Sequence, residues 1–121
     1  MKSIYIAGSR KFYDEIEQLV QKINYAKIKV STAGKWKNTQ KDTLENQKAA
    51  LLSAFNEIDS SDICYIYARE GYIGKTVAME IAYAYAHKKK IISSELLAEL
   101  SVQALVSQII IPTELIDYIL G

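Results

Sequence analysis

The chain has 121 residues, half of them hydrophobic and 24% charged, which suits one globular domain with a single core rather than a disordered chain. Fifteen Lys and Arg balance fourteen Asp and Glu to a net charge of +1, so no field draws it to nucleic acid or to an anionic membrane. One cysteine excludes an internal disulfide and a thiolate zinc cluster.

Residues 3–7 form a short apolar run ended by Gly8, which reads as a buried strand with a tight exit turn. Phe12, Ile16, Leu19, Val20 and Ile23 then recur at helical spacing, and Asn24 marks the stop. Residues 27–31 alternate as a second strand. Residues 32–43 are polar, hold Gly34 and Trp36, and suggest a loop or lid. Leu44, Leu51, Leu52, Phe55 and Ile58 make the next helical stripe, broken by Ser60-Ser61-Asp62. Residues 63–68 are the most apolar run and have the character of a central parallel strand. Within it, Cys64 reads as a small buried hydrophobe rather than a nucleophile. A loop with Gly71 and Gly74 leads to a helix over residues 76–87, in which His87 is a helix-end residue and Lys88-Lys89-Lys90 closes the helix against its dipole. Residues 90–93 form a short strand, Ser94 is expected to cap a helix through about Leu105, residues 107–111 a last strand, and Thr113 to cap a final helical turn or two.

This alternation predicts a single three-layer α/β domain over residues 1–121, with a parallel sheet covered on both faces. The strands around Tyr5 and Tyr65 are expected side by side at its centre. Lys2 runs straight into the first strand with no signal-peptide core, and no apolar stretch matches a bilayer, so a cytoplasmic protein is expected.

In such sheets ligands bind outside the carboxyl ends of the strands. Two loops qualify. Gly8-Ser9-Arg10 offers a close backbone approach, a hydroxyl and a forked cation, the residue types of an anion site at a helix start. Gly74-Lys75-Thr76 has the ending of a P-loop, but the glycine required five positions earlier is Arg69, so that reading is rejected. Between Val77 and Ala86 the only charge is Glu80. A carboxylate in so apolar a helix is costly unless it is paired or faces a cavity, and its place in the second turn favours its ionised form. The alternatives are a structural glutamate on a solvated edge and one paired with a lysine.

Ile4-Tyr5-Ile6-Ala7-Gly8-Ser9, the helix end Ile58-Asp59-Ser60-Ser61-Asp62, and Met79-Glu80-Ile81-Ala82-Tyr83-Ala84 after a glycine loop together resemble the nucleoside 2-deoxyribosyltransferase superfamily, which includes deoxynucleoside 5′-monophosphate N-glycosidases. The loop Gly71-Tyr72-Ile73-Gly74 is similar to that of a short bacterial and archaeal branch. The resemblance covers about the first 93 residues. It implies a flavodoxin-like or Rossmann-like fold, a homo-oligomer, a small-molecule nucleoside or nucleotide as substrate, and no cofactor or metal. It further implies cleavage or exchange of an N-glycosidic bond, with Glu80 attacking C1′ and Tyr5 orienting it beside the sugar. Gly8, Ser9 and Arg10 would form the floor and hold a 5′-phosphate, and Gly74 would shape the loop over the ligand.

Two positions depart from the family pattern. The acid or other polar residue common eight positions before Asp62 is Ala54, and the glycine common two positions after the nucleophile is Ala82. Asn56 and Glu57 lie close to Ala54 in sequence, but helical rotation is expected to turn them to other faces. Asp62 reads as a turn or cap residue. These departures support a second reading, a nucleotide-binding module on the same fold without turnover, and a third is an interaction protein that shares only the architecture. Trp36 and Tyr72 could stack on a base or anchor a loop.

Overall fold

A computed structural model describes residues 2–33 and 42–121, so Gly34 and Trp36 lie outside the described residues. Five strands form one sheet in the order β2-β1-β3-β4-β5: β1 (Ile4–Gly8), β2 (Val30–Thr32), β3 (Ile63–Tyr67), β4 (Lys90–Ser93) and β5 (Gln108–Ile109). Every neighbouring pair is parallel. The helices are α1 (Tyr13–Tyr25), α2 (Leu44–Asp59), α3 (Lys75–Ala86), the short α4 (Leu100–Gln103) and α5 (Pro112–Leu120). This is the flavodoxin-like arrangement, with the order reversing between β1 and β3. Tyr5 pairs with Cys64 and Ile6 with Tyr65, so the two expected strands do lie together at the centre. Among the described residues no helix is long and apolar enough to cross a membrane.

The period-2 alternation of β1 and β3 sorts the core into two layers. Ile4, Ile6, Ile63, Tyr65 and Tyr67 face Ile16, Leu19 and Ile23 of α1 and Leu115 of α5. Tyr5, Ala7, Cys64, Ile66 and Ala68 face Ala54 and Ile58 of α2 and Val77, Ile81 and Ala84 of α3. Gly8 leaves room at the end of β1 where a side chain would push Ile16 Cδ1 aside at 2.6 Å and crowd the Tyr67 carbonyl at 3.1 Å.

Several local expectations are corrected. The stripe on α2 is narrower than its leucines suggested: Ala54 and Ile58 are buried, whereas Leu44 and Leu52 are exposed. The second strand starts at Val30, because Lys27 takes a positive φ of 63° to end the preceding helix. The lysine triplet lies beyond α3: Lys88 has φ 62° in the closing turn, and Lys90 opens β4.

Residues 94–99 do not form a helix. Ala68 N–H donates to Ser94 Oγ at 3.0 Å, Gly71 N–H donates to the Glu95 carboxylate at 2.7 Å, and Ala98 N–H donates to the Gly71 carbonyl at 2.9 Å. The segment is thereby tied to the loop after β3, and only Leu100–Gln103 becomes helical. At the last helix Pro112 takes the first position, where its missing N–H costs nothing, and Ile111 rather than a threonine precedes it.

Candidate functional site

Outside the carboxyl ends of β1 and β2, beside the loop that follows β3, lies a cavity of about 530 Å³, a volume suited to a small ligand. Its walls come from the exits of β1 and β2, from one face of α2, and from the loop and first turns of α3. Gly8, Ser9, Arg10, Gly74 and Glu80 all line it. Tyr5 stands behind Glu80.

Glu80 is 5% exposed and Tyr5 is fully buried. The Tyr5 hydroxyl donates to Glu80 Oε1 at 2.7 Å, across 75 residues of sequence. The pairing follows from the alternation of β1, which aims Tyr5 at α3, and from the helical period, which puts Glu80 on the buried side with Val77, Ile81 and Ala84. The Glu80 carboxylate is thus held by a neutral donor rather than by a lysine. Burial raises its pKa above the ordinary glutamate range, and the Tyr5 hydrogen bond offsets part of that rise. Tyr5 is pushed up strongly, first by burial and then by the Glu80 charge, so it stays protonated as a donor.

The cavity wall also carries cations and hydrogen-bond donors. Ser9 caps a 3-10 turn over Arg10–Phe12, its Oγ accepting from Lys11 N–H at 3.3 Å. Lys75 and Thr76 begin α3 at the cavity wall, with Gly74 in extended backbone at its N-cap. Gly74 is not forced by the fold, since a side chain there would meet only the Tyr72 hydroxyl, at 3.8 Å. Gly71 is forced: its φ is +72°, and an added Cβ would lie 2.9 Å from Ala98 N. Glu70, at φ 55°, and Gly71 form the tight turn that returns Tyr72 N–H to the Arg69 carbonyl at 3.0 Å. Tyr72 both lines the cavity and is anchored, edge-on to Phe12 with ring centroids 6.3 Å apart and with Lys11 Nζ 4.2 Å from its own ring centroid.

Among the wall residues that the sequence did not single out are Lys75, Thr76 and Glu57. Lys75 and Thr76 were set aside with the P-loop, although a helix start beside a strand end was itself the signal. Glu57 was expected to turn away. It lines the cavity, because Gln47, Ala50, Ala54 and Glu57 share one face of α2 at spacings of three and four. Ala54 itself is buried beneath that face.

The residues singled out elsewhere take structural parts. Asp62 sits at the opposite, amino-terminal edge of the sheet, where its carboxylate accepts from Ser3 N–H at 2.9 Å and its pKa falls in consequence. His87 closes α3 and stacks on Tyr83 with centroids 4.0 Å apart. Cys64 is buried, and that burial raises its pKa out of reach of a thiolate role.

Fold and site together define a flavodoxin-like α/β protein with a tyrosine-held carboxylate facing a cavity at the switch point of its sheet. Solved structures of the same fold include a 2-deoxyribosyltransferase from Bacillus psychrosaccharolyticus, with TM-score 0.75, 13% identity, and coverage of 96% of this chain and 91% of that one. A CMP N-glycosidase from Clostridium botulinum, BcmB, aligns with TM-score 0.63 and 19% identity over 98% of both chains. A conserved protein from Enterococcus faecalis V583 aligns with TM-score 0.71 and 17% identity over 97% of this chain and 96% of its own. No family model matches the chain, and no curated protein matches it by sequence.

Proposed function

We propose that the protein cleaves or exchanges the N-glycosidic bond of a deoxynucleoside or its 5′-monophosphate, with Glu80 as the nucleophile. One observation carries the reading: a buried carboxylate, held by a neutral tyrosine, opens onto a cavity that Arg10 and Lys75 also line. Glu80 attacks C1′ and the base departs; water or a second base then attacks C1′ and frees the carboxylate. Tyr5 fixes the carboxylate's orientation without neutralising it. Ser9, Arg10, Lys75 and the free N–H groups at the start of α3 suit a 5′-phosphate. The 2-deoxyribosyltransferase and the CMP N-glycosidase that share the fold agree with this class of reaction.

Base release from a panel of deoxynucleosides and their 5′-monophosphates, followed by chromatography, tests the proposal. Release from at least one is expected. Arg10→Ala should weaken binding of the monophosphate about tenfold or more and leave the nucleoside nearly unaffected, since a charged hydrogen bond contributes about 1.5–3 kcal/mol. Equal losses would remove Arg10 from the phosphate site.

The buried Ala54, where family members commonly carry a polar group, favours a second reading, a binding module without turnover. Thermal stabilisation by a monophosphate without base release would establish it. Under either reading we infer a homo-oligomer, because Leu44, Leu52 and Met79 leave apolar surface exposed on α2 and α3. Sedimentation at several concentrations checks this.

A further inference from the structure

The cavity is lined by two carboxylates, and the reaction proposed above uses one. Glu80 is tied to Tyr5. Glu57 lies on the α2 wall, half-buried, one helical turn along the face from Ala54. Its side chain accepts no hydrogen bond from any described residue, so its proton chemistry is not committed to holding the fold together. That contrasts with the other glutamates near the strand ends: Glu15 is bound by Tyr67 and Arg69, and Glu95 by Gly71 N–H.

We propose that Glu57 is the group that protonates the departing base, taking from the next turn of α2 the part that Ala54 cannot play. The inference rests on the reading of the site as one that breaks an N-glycosidic bond. In the first step a Glu80 oxygen bonds to C1′ and the C1′–N bond breaks. Its electron pair passes to the base, which takes the proton from the Glu57 carboxyl and leaves neutral. In the second step the Glu57 carboxylate accepts a proton from the attacking water or incoming base. The C1′–O bond to Glu80 then breaks, and its electron pair returns to the Glu80 carboxylate. Each carboxyl ends as it began, and the two roles exchange acid for base as microscopic reversibility requires.

Glu57 lies near the reacting pair: in its ionised form, which it takes after giving up its proton, its charge is the smallest of those that keep the Tyr5 proton in place. Other groups on the cavity wall are poorer donors for this step. Arg10 and Lys75 are weaker acids than a carboxyl, and Tyr5, behind the wall, is committed to Glu80.

The test compares two leaving groups. One is the deoxynucleoside or monophosphate that the wild type cleaves fastest. The other is its N-methylated cationic counterpart, methylated at N7 for a purine or N3 for cytosine, whose base departs neutral without a proton donor. Glu57→Gln should lose about 10²–10⁴-fold in kcat/KM on the unmethylated substrate and less than about tenfold on the cationic one. Glu80→Gln should abolish both. The thermal midpoint of Glu57→Gln should be indistinguishable from that of wild type, because the side chain holds no other described residue. Equal losses on both substrates, or no loss, would overturn the role of Glu57 while leaving that of Glu80 standing. A wild type that releases no base from any substrate would overturn the reaction itself and this inference with it.

Discussion

Tyr5 of β1 and Tyr65 of β3 occupy neighbouring strands, are both fully buried, and point to opposite faces of the sheet. The Tyr65 hydroxyl donates to the Ile110 carbonyl at 2.7 Å and ties the α1 and α5 side of the sheet to the backbone after β5. The Tyr5 hydroxyl donates at the same distance, 2.7 Å, to a carboxylate that borders a cavity. Burial raises the pKa of both, so each is a neutral donor at any physiological pH. The acceptor separates them. A carbonyl cannot titrate or attack, whereas a carboxylate can do both, and burial disfavours its charged form. Neither face leaves a buried side-chain polar atom unpaired among the described residues, so an unsatisfied group is not what marks the cavity side.

The largest effect should come from removing the acceptor that differs. Glu80→Gln keeps the shape and the hydrogen bond from Tyr5 but cannot attack C1′, and base release should fall by roughly 10⁴-fold or more, about 5.5 kcal/mol of barrier. Folding should improve. Because the folded-state pKa of Glu80 is raised, the native state binds more protons than the unfolded chain between the ordinary glutamate pKa and the raised one. Wild-type stability therefore falls as pH rises through that window, and the glutamine variant is spared the fall. Its denaturation midpoint should match wild type at low pH and exceed it at neutral pH. A variant less stable than wild type at neutral pH would mean that the carboxylate is structural.

The tyrosines should then respond in opposite ways. Tyr5→Phe removes the donor that partly lowers the Glu80 pKa, so the acid limb of the pH–rate profile should move to higher pH, with about 10–100-fold lost near that limb. Tyr65→Phe leaves the Ile110 carbonyl unpaired and should cost about 1–3 kcal/mol of stability, with kcat/KM nearly unchanged. Identical profiles for wild type and Tyr5→Phe would detach Tyr5 from the chemistry.

How much of this contrast was legible beforehand depends on range. The alternation in Ile4-Tyr5-Ile6 and Ile63-Cys64-Tyr65 fixes the strands, their faces and their central place, since period 2 is a local property. The isolation of Glu80 in an apolar helix and the position of Ser9 and Arg10 at a strand end are local too. The two hydroxyl acceptors lie 75 and 45 residues away, and nothing local distinguishes them. The helix expected from Ser94 failed for the same reason: its competitors are Ala68 and Gly71, on the loop after β3. Glu57 is the opposite case. The spacing of three from Ala54 was enough to place both on one face, and attention to nearest neighbours hid it.

The smallest effects should come from two glycines three residues apart, which repeat the contrast between packing and cavity inside one loop. Gly71 has φ +72° and no room for a side chain beside Ala98 N at 2.9 Å. Gly71→Ala should therefore cost about 1–3 kcal/mol, from left-handed strain and a backbone that must shift. In a domain of this size that lowers the midpoint by about 4 °C for each kcal/mol. Gly74 has φ −83° and ψ 172°, which alanine adopts readily, and its Cβ would meet only the Tyr72 hydroxyl at 3.8 Å. Gly74→Ala should keep the midpoint within about 2 °C of wild type, with any shift upward, because the unfolded chain loses freedom. Its effect belongs to the ligand: the added methyl stands at the cavity wall beside the start of α3, so KM should rise while kcat holds. Thermal melts of both variants with steady-state kinetics of the second decide the matter. A Gly74→Ala protein that melts several degrees lower would show that this glycine serves the fold as Gly71 does, and the loop would then offer nothing shaped for a ligand.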